Sequence, residues 1–357
     1  MKPVRLLAIV LSLALAFASF AVAQDGTTPV NFKVAFIGDQ GLGPDSEAVL
    51  QLIRSEGAAA VIHSGDFDYA DNPAAWEAQI DAILGADFPY FASIGNHDIR
   101  EFFTPGGYQD RLEARMVRLG IPWKGWLGFR SSFTYQGLFI VLTAPGIFVP
   151  LDLLWVHTSF IRQELAADQS IWRITSWHKN MRQMQVGGKQ SETGWGVYEA
   201  ARRGGAIIAT GHENSYSRTH LHSRVRPQTV ASTDNTLVLS RDDPDTWADE
   251  GRSFVFVSGL GGESIRNQQR CLPTTPPYGC KGEWASIYTS DQGANSGALF
   301  ATFNYNGDPT LAHFYFKDIN SFVPDEFFVR VAAAPASANA ASTRSTTTAT
   351  TVTNPFE

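Results

Sequence analysis

The sequence predicts an α/β fold in which two β-sheets pack face to face with helices outside. Three observations carry this expectation. Residues 30–215 alternate strand-like and helix-like patterns, which implies a sheet covered by helices. From about Asn235 onward, short strand-like runs are separated by turns rich in Gly, Pro and Asn, as in an antiparallel sheet. Both series carry apolar faces, and each needs the other or a helix to cover it.

In chain order, strand-like runs fall at Lys33–Ile37, Ala59–His63, Tyr90–Ile94, Phe133–Tyr135, Leu138–Leu142, Trp172–Trp177 and Ala206–Ala209. Helical patterns fall at Asp45–Glu56, Pro73–Leu84, Leu153–Ala166 and Gly194–Arg203. Gln136-Gly137 reads as a hairpin turn between two strands. The later runs are Leu237–Leu239, Phe254–Ser258, Ala298–Phe303 and Leu311–Phe316, with Asn306-Gly307 as a second hairpin signal. We expect one domain over 30–330; two domains divided near residue 225 is the alternative, although no linker-like composition marks that point.

The ends of the 357-residue chain have a different character. Lys2 and Arg5 precede an apolar run from Leu6 to about Ala18, followed by Ala21-Val22-Ala23. That is the pattern of a secretory leader (1–23) cut after Ala23, and the apolar run is short for a membrane span. Residues 331–357 are rich in Ala, Ser and Thr and bury too little apolar surface to offset their ordering entropy, so we expect disorder there. No hydrophobic terminal segment of the lipid-anchor type follows. The expected location is therefore secreted or periplasmic. The only cysteines, Cys271 and Cys280, flank a Pro-rich loop, and in an oxidising compartment such a pair reads as a disulfide.

With 28 basic and 35 acidic residues the formal charge is −7, and there is no basic run. Nucleic-acid coating and binding to anionic membranes are thereby disfavoured. An anionic substrate would have to be drawn by a local positive centre.

Five short segments supply one. Gly38-Asp39-Gln40-Gly41, Gly65-Asp66-Phe67-Asp68-Tyr69, Gly95-Asn96-His97-Asp98, Trp177-His178 and Gly211-His212-Glu213-Asn214 each follow a strand-like run. Side chains leaving the carboxyl ends of neighbouring strands meet in one crevice. The set offers carboxylate and phenolate, hard oxygen donors suited to a trivalent ion. It also offers imidazole and amide, which suit Zn, Mn or Fe as divalent ions. A carboxylate shared between two ions would hold them about 3.5–4 Å apart, the spacing used for in-line displacement at phosphorus.

These motifs resemble the calcineurin-like metallophosphoesterases, and the Gly-Asp-x-x-Tyr segment is similar to that of the purple acid phosphatase branch. The resemblance spans roughly residues 33–316. It implies a four-layer α-β-β-α sandwich of two mixed sheets, and two bound metal ions, Fe(III) with Fe(II), Zn(II) or Mn(II). It implies that Asp39, Asp66 and Tyr69 hold the first ion, that Asp66 bridges, and that Asn96, His178 and His212 complete the second site. His97 would be the proton donor to the leaving oxygen. The implied activity is hydrolysis of small phosphate monoesters by a metal-activated hydroxide, with phosphodiester or nucleotide hydrolysis as the alternative.

One position departs from the family pattern. Where its last motif reads Gly-His-x-His, this chain has Asn214. Three readings stay open: Asn214 ligates through its oxygen, the first site is labile, or activity is impaired and the scaffold serves binding alone. His220 or His222 could substitute, although an ordinary strand histidine is the simpler reading of each.

Beyond the motifs, Lys179, Asn180 and Arg218 are candidates for contacting substrate phosphate, with a solvated loop or strand as the plain alternative. Asp98 reads as the N-cap of a following helix. His63, His157 and His313 sit in apolar patterns and read as core histidines. Phe102, Phe103, Tyr108, Trp123, Trp126 and Phe129 either rim the cleft or form a satellite cluster beneath a loop.

Overall fold

At the centre of the computed structural model, which describes residues 27–148, 154–243 and 248–332, lies β1 (Phe32–Ile37). Every side chain of β1 is buried except Lys33, whose ammonium reaches the Glu56 carbonyl and the Tyr315 hydroxyl. Next comes α1 (Pro44–Ser55), with Pro44 in its first turn, Asp45 and Glu47 at its amino end and Arg54 in its last turn. Its buried residues Ser46, Val49, Leu50 and Ile53 form one helical face. After β2 (Ala60–His63), α2 (Pro73–Ile83) is capped by Asn72, whose side chain accepts the Ala75 N–H. Then follow β3 (Tyr90–Ala92), α3 (Ile99–Phe102) and α4 (Tyr108–Arg118).

The chain continues through β4 (Lys124–Trp126), β5 (Arg130–Tyr135), β6 (Leu138–Thr143), α5 (Leu154–Ala167), β7 (Trp172–Trp177), α6 (Trp195–Arg203) and β8 (Ile207–Thr210). The last part is strand-rich: β9 (Tyr216–Thr219), β10 (Leu221–Arg224), β11 (Thr229–Ser232), β12 (Thr236–Leu239), β13 (Val255–Ser258), β14 (Trp284–Tyr288), β15 (Gly297–Phe303), β16 (Leu311–Asp318) and β17 (Asp325–Val331).

Two mixed sheets result. The first runs β12-β17-β16-β15-β1-β2-β3, and the second β14-β9-β13-β8-β7-β6-β5-β4; β10 and β11 form a small ribbon. In the first, β1, β2 and β3 are parallel, with Ile37 opposite His63, while β15 joins β1 antiparallel. In the second, β6, β7, β8 and β13 are parallel, with Trp177 opposite Thr210. The inner faces meet through aromatic pairs: Phe36 with Phe256 at 5.2 Å, Trp172 with Phe303 at 5.0 Å and Tyr216 with Phe316 at 4.3 Å between ring centroids. Helices α1 and α4 lie against the first sheet, with α2 packed on both and its Trp76 edge-on to Tyr90 of β3; α5 and α6 lie against the second, completing the α-β-β-α order.

The later strands do not make a sheet of their own, contrary to the sequence expectation. β12, β15, β16 and β17 extend the first sheet, whereas β13 and β14 join the second. Strand texture reports local pairing type and says nothing of which sheet a strand joins. Elements from both sides of residue 225 therefore share each sheet. The leader and most of the Ala/Ser/Thr-rich tail fall outside the described residues. Ala332, at the boundary, still donates its N–H to the Leu239 carbonyl. Among the described residues, no helix is long and apolar enough to cross a membrane.

Cys271 and Cys280 form the expected disulfide. Their loop packs on the segment between β7 and α6: Cys271 lies against Val186, and the Val186 carbonyl accepts N–H groups from Gln269 and Arg270 at 3.0 Å each.

Candidate metal centre

The carboxyl ends of β1, β2, β8 and β13 converge. A side chain placed on Gly38 would lie 3.5 Å from Gly211, Ser258 and Ser64. The turns leaving these strands are tight enough that Asp39, Asp66, Tyr69 and His212 all adopt left-handed backbone angles, with φ of 58°, 60°, 55° and 72°. Such non-glycine conformations cost on the order of 1–3 kcal/mol each and cluster at functional sites. Gly95 is required for the closest approach, because a Cβ there would lie 2.2 Å from the Asp66 nitrogen and carboxylate.

At the centre, His178 Nε2 lies 3.1 Å from Asp66 Oδ2 and 3.1 Å from His212 Nδ1. The ligand atoms of Asp66, His178 and His212 all fall within 4.8 Å of one another, and all three residues are buried. His178 is turned inward by its other nitrogen, Nδ1, 2.7 Å from the Ser64 carbonyl. On the far side, Asp39 Oδ2 accepts the His212 N–H at 2.8 Å, and Asp39 Oδ1 accepts the Tyr69 hydroxyl at 3.1 Å. The Asn214 side-chain amide faces the Tyr69 oxygen as a donor, opposing the rise of the phenol. Asn96 shares its loop with His97, whose N–H donates to Asp66 Oδ1 at 2.9 Å. The His97 ring is exposed and sits 4.5 Å from that of Tyr69.

The electrostatics are those of a buried cluster of acids. Burial raises Asp39 to about 7, with the Asp66 charge adding to it and His178 and Lys189 opposing. Burial would raise Asp66 as well, but the His178 charge and hydrogen bond outweigh it and hold that carboxyl far below its usual range. Burial lowers His212 to about 3, keeping its ring neutral. Burial also pushes the Tyr69 phenol upward, reinforced by the Asp39 and Asp66 charges.

This donor set fits a pair of metal ions. The Asn96 side-chain oxygen is buried and has no hydrogen-bond partner among the described residues, which is costly unless it serves as a ligand. Asp66, Asn96, His178 and His212 could hold one ion, and Asp39, Asp66, Tyr69 and Asn214 a second.

Other expectations need correction. Arg218 does not face the crevice: it is buried in β9, paired bidentately with Asp325 at 2.7 and 2.8 Å, and lies over the Phe327 ring. Asn180 is fully buried, donating to the Gly211 carbonyl and accepting from the Tyr198 hydroxyl, so it braces the turn rather than touching substrate. Lys179 is engaged by Glu192 at 2.8 Å. Asp98 occupies the N-cap position of α3 as expected, but its side chain makes no bond to that helix; its carboxylate accepts the N–H groups of Asp66, Gly95 and Phe67. His222 bonds the His220 carbonyl, and neither joins the cluster. His63 is a buried histidine whose Nδ1 accepts the Gly65 N–H at 3.1 Å.

The aromatics divide. Phe102 and Tyr108 are buried around Phe67, beneath the second motif. Phe103, Trp126 and Phe129 gather at the surface with Phe148.

Two residues escaped sequence reasoning. Lys189 donates to the His212 carbonyl and lies 3.1 Å from His212 Nδ1; Glu192 meets His212 Nε2 at 2.6 Å. Both lie in a polar, Gly-containing segment with no periodicity to single them out.

A family profile described as calcineurin-like phosphoesterase matches residues 32–216. No curated protein matches this chain. Among solved structures, purple acid phosphatase PPD1 from yellow lupin (Lupinus luteus) seeds is similar with a TM-score of 0.58 at 17% identity; the match covers 86% of this chain and 55% of the lupin chain. GAP50, the anchor in the inner membrane complex of Plasmodium, is similar with a TM-score of 0.51 at 11% identity, covering 85% of this chain and 89% of the other. At these identities the two structures speak to fold alone, and the family rests on the profile match, which takes in every strand end that carries a candidate ligand. This chain belongs to the calcineurin-like phosphoesterase family.

Proposed function

We propose that this protein is an exported phosphoesterase that hydrolyses phosphate monoesters at a dinuclear metal centre. The observation carrying the proposal is the convergence of Asp66, His178 and His212 ligand atoms within 4.8 Å, with Asp39 bonded to the same His212 turn. Asp66 would be the shared ligand, with Asp39, Tyr69 and Asn214 holding one ion and Asn96, His178 and His212 the other. Cations held there, with Fe(III) beside Fe(II), Zn(II) or Mn(II) as the pair suggested by the donors, supply Lewis acidity toward phosphoryl oxygens and acidify a water. His97, exposed beside Tyr69, holds a proton for the departing alkoxide. Lys189 brings an ammonium charge to the crevice, where an anionic ester must dock. The leader pattern and the Cys271–Cys280 disulfide support export.

A second reading, a binding protein on the same scaffold, is favoured by one contact. The Asn214 side-chain oxygen accepts from Arg266 Nε at 3.2 Å, which engages the atom that would otherwise ligate the first ion.

Elemental analysis paired with hydrolysis of an aryl phosphate separates the two. Two metal equivalents and turnover are expected for the parent protein. Asp66→Ala should lose both, and His97→Ala should lose turnover while keeping its metal. A metal-loaded parent without hydrolysis of mono- or diesters would leave the binding reading.

A further inference from the structure

Glu192 lies on the segment between β7 and α6, outside all five motifs, yet it touches the ring of a candidate ligand. Its Oε2 is 2.6 Å from His212 Nε2. A neutral imidazole carries one N–H, and an ionised carboxylate can only accept, so this contact places the proton on Nε2 and the lone pair on Nδ1. The Nδ1 atom faces inward, 3.1 Å from His178 Nε2, and the Lys189 ammonium lies 3.1 Å from it as a donor that needs a lone pair there. His178 is arranged in the mirror sense: its Nδ1 faces the Ser64 carbonyl, leaving Nε2 for the centre.

Glu192 is itself held. Its Oε1 receives Lys179 Nζ at 2.8 Å, its N–H donates to the Asn180 carbonyl at 3.0 Å, and Asn180 in turn donates to the Gly211 carbonyl at 2.8 Å. The carboxylate is thus tied to the turn that carries His212 by a closed ring of contacts. Lys179 and Asn180, which the sequence suggested for substrate, belong to this ring.

We infer that Glu192 is a positioning residue that selects Nδ1 of His212 as the metal-binding atom, with Lys179 fixing the Glu192 carboxylate. The inference rests on the metal-centre reading given above. Partners of this kind fix the tautomer and raise ligand basicity, and their loss typically costs about 10–100-fold in metal affinity.

The test is chelator-competition titration of zinc into the metal-stripped full-length protein, with folding checked by circular dichroism. A 15N–1H correlation of the histidine rings gives a second readout. Glu192→Ala should weaken zinc binding about 10–100-fold and bring Nδ1-protonated His212 into view. Glu192→Gln, which keeps an acceptor but no charge, should lose less, and Lys179→Met should shift affinity in the same direction by a smaller factor. His212→Ala is the control. If His212→Ala abolishes tight zinc binding while Glu192→Ala and Glu192→Gln stay within about threefold of the parent and the tautomer is unchanged, the positioning role is overturned and the centre stands. If His212→Ala also binds zinc as the parent does, the metal-centre reading itself falls.

Discussion

The carboxylate of Asp98 is bonded to the backbone of Asp66: Asp98 Oδ2 accepts the Asp66 N–H at 2.9 Å and the Gly95 N–H at 2.6 Å, while Oδ1 accepts the Phe67 N–H at 2.8 Å. One buried side chain thereby clamps the second motif to the third. Burial and the nearby Asp66 charge push the Asp98 carboxyl upward, and the N–H groups of Phe67 and Gly95 pull it back down. Asp98→Asn would turn an NH2 group toward at least one of those donors in either amide orientation. Chemical denaturation should show a loss of about 2 kcal/mol, and zinc affinity should fall with it. Unchanged stability would show that the clamp is dispensable.

Restoring the imidazole at the departing position is the direct probe of the first metal site. Asn214→His exchanges an amide whose oxygen is engaged by Arg266 for a stronger donor to transition metals. Metal content should rise toward two equivalents, and hydrolysis should rise with it. If the parent already holds two equivalents and turns over fully, Asn214 ligates adequately.

Gly95→Ala asks whether close backbone approach matters. The new Cβ would lie 2.2 Å from both the Asp66 nitrogen and Oδ1, so Asp66 must move. Thermal melting should show a drop of several degrees, and elemental analysis should show metal loss even in the folded fraction.

Far from the crevice, Glu56 predicts a pH dependence of stability. Burial would raise its carboxyl, but hydrogen bonds from Lys317 and Tyr315 and the charges of Lys317 and Lys33 outweigh this and hold it below its usual value. A carboxyl depressed in the folded state stabilises fully above its unfolded pKa, about 4.3, and that contribution disappears as pH falls through the lower folded value. Glu56→Gln should therefore melt below the parent at pH 7, with the gap closing toward pH 3. A constant gap across that range would assign the effect to packing.

Much of the fold was legible because period and position were. The runs ending at Ile37, His63 and Trp177 are apolar, short and followed by motif residues, and each is a strand. Helix α4 was not foreseen, since only Tyr108, Leu112, Arg115 and Met116 are buried and one of these is an arginine paired with Asp81. In the site, the motif residues announced themselves through their glycines and order. Arg218 misled because its partner, Asp325, lies 107 residues away at the start of β17, beyond the reach of any local pattern. Lys189 and Glu192 were invisible for a related reason. A carboxylate that meets a buried histidine from an aperiodic segment leaves no spacing to read.

The crosslinked loop reaches further than its own ten residues. Through Gln269 and Arg270 it holds Val186 and Gln185, and the Gln185 amide holds the carbonyls of Lys189 and Gln190, two residues before Glu192. On the metal-centre reading, pairing of the two thiols should therefore tighten the segment that carries Glu192. Material folded in a reducing cytosol should carry a slacker segment and retain less zinc than material folded where the sulfurs can pair, so the choice of expression compartment decides what any assay of this protein measures.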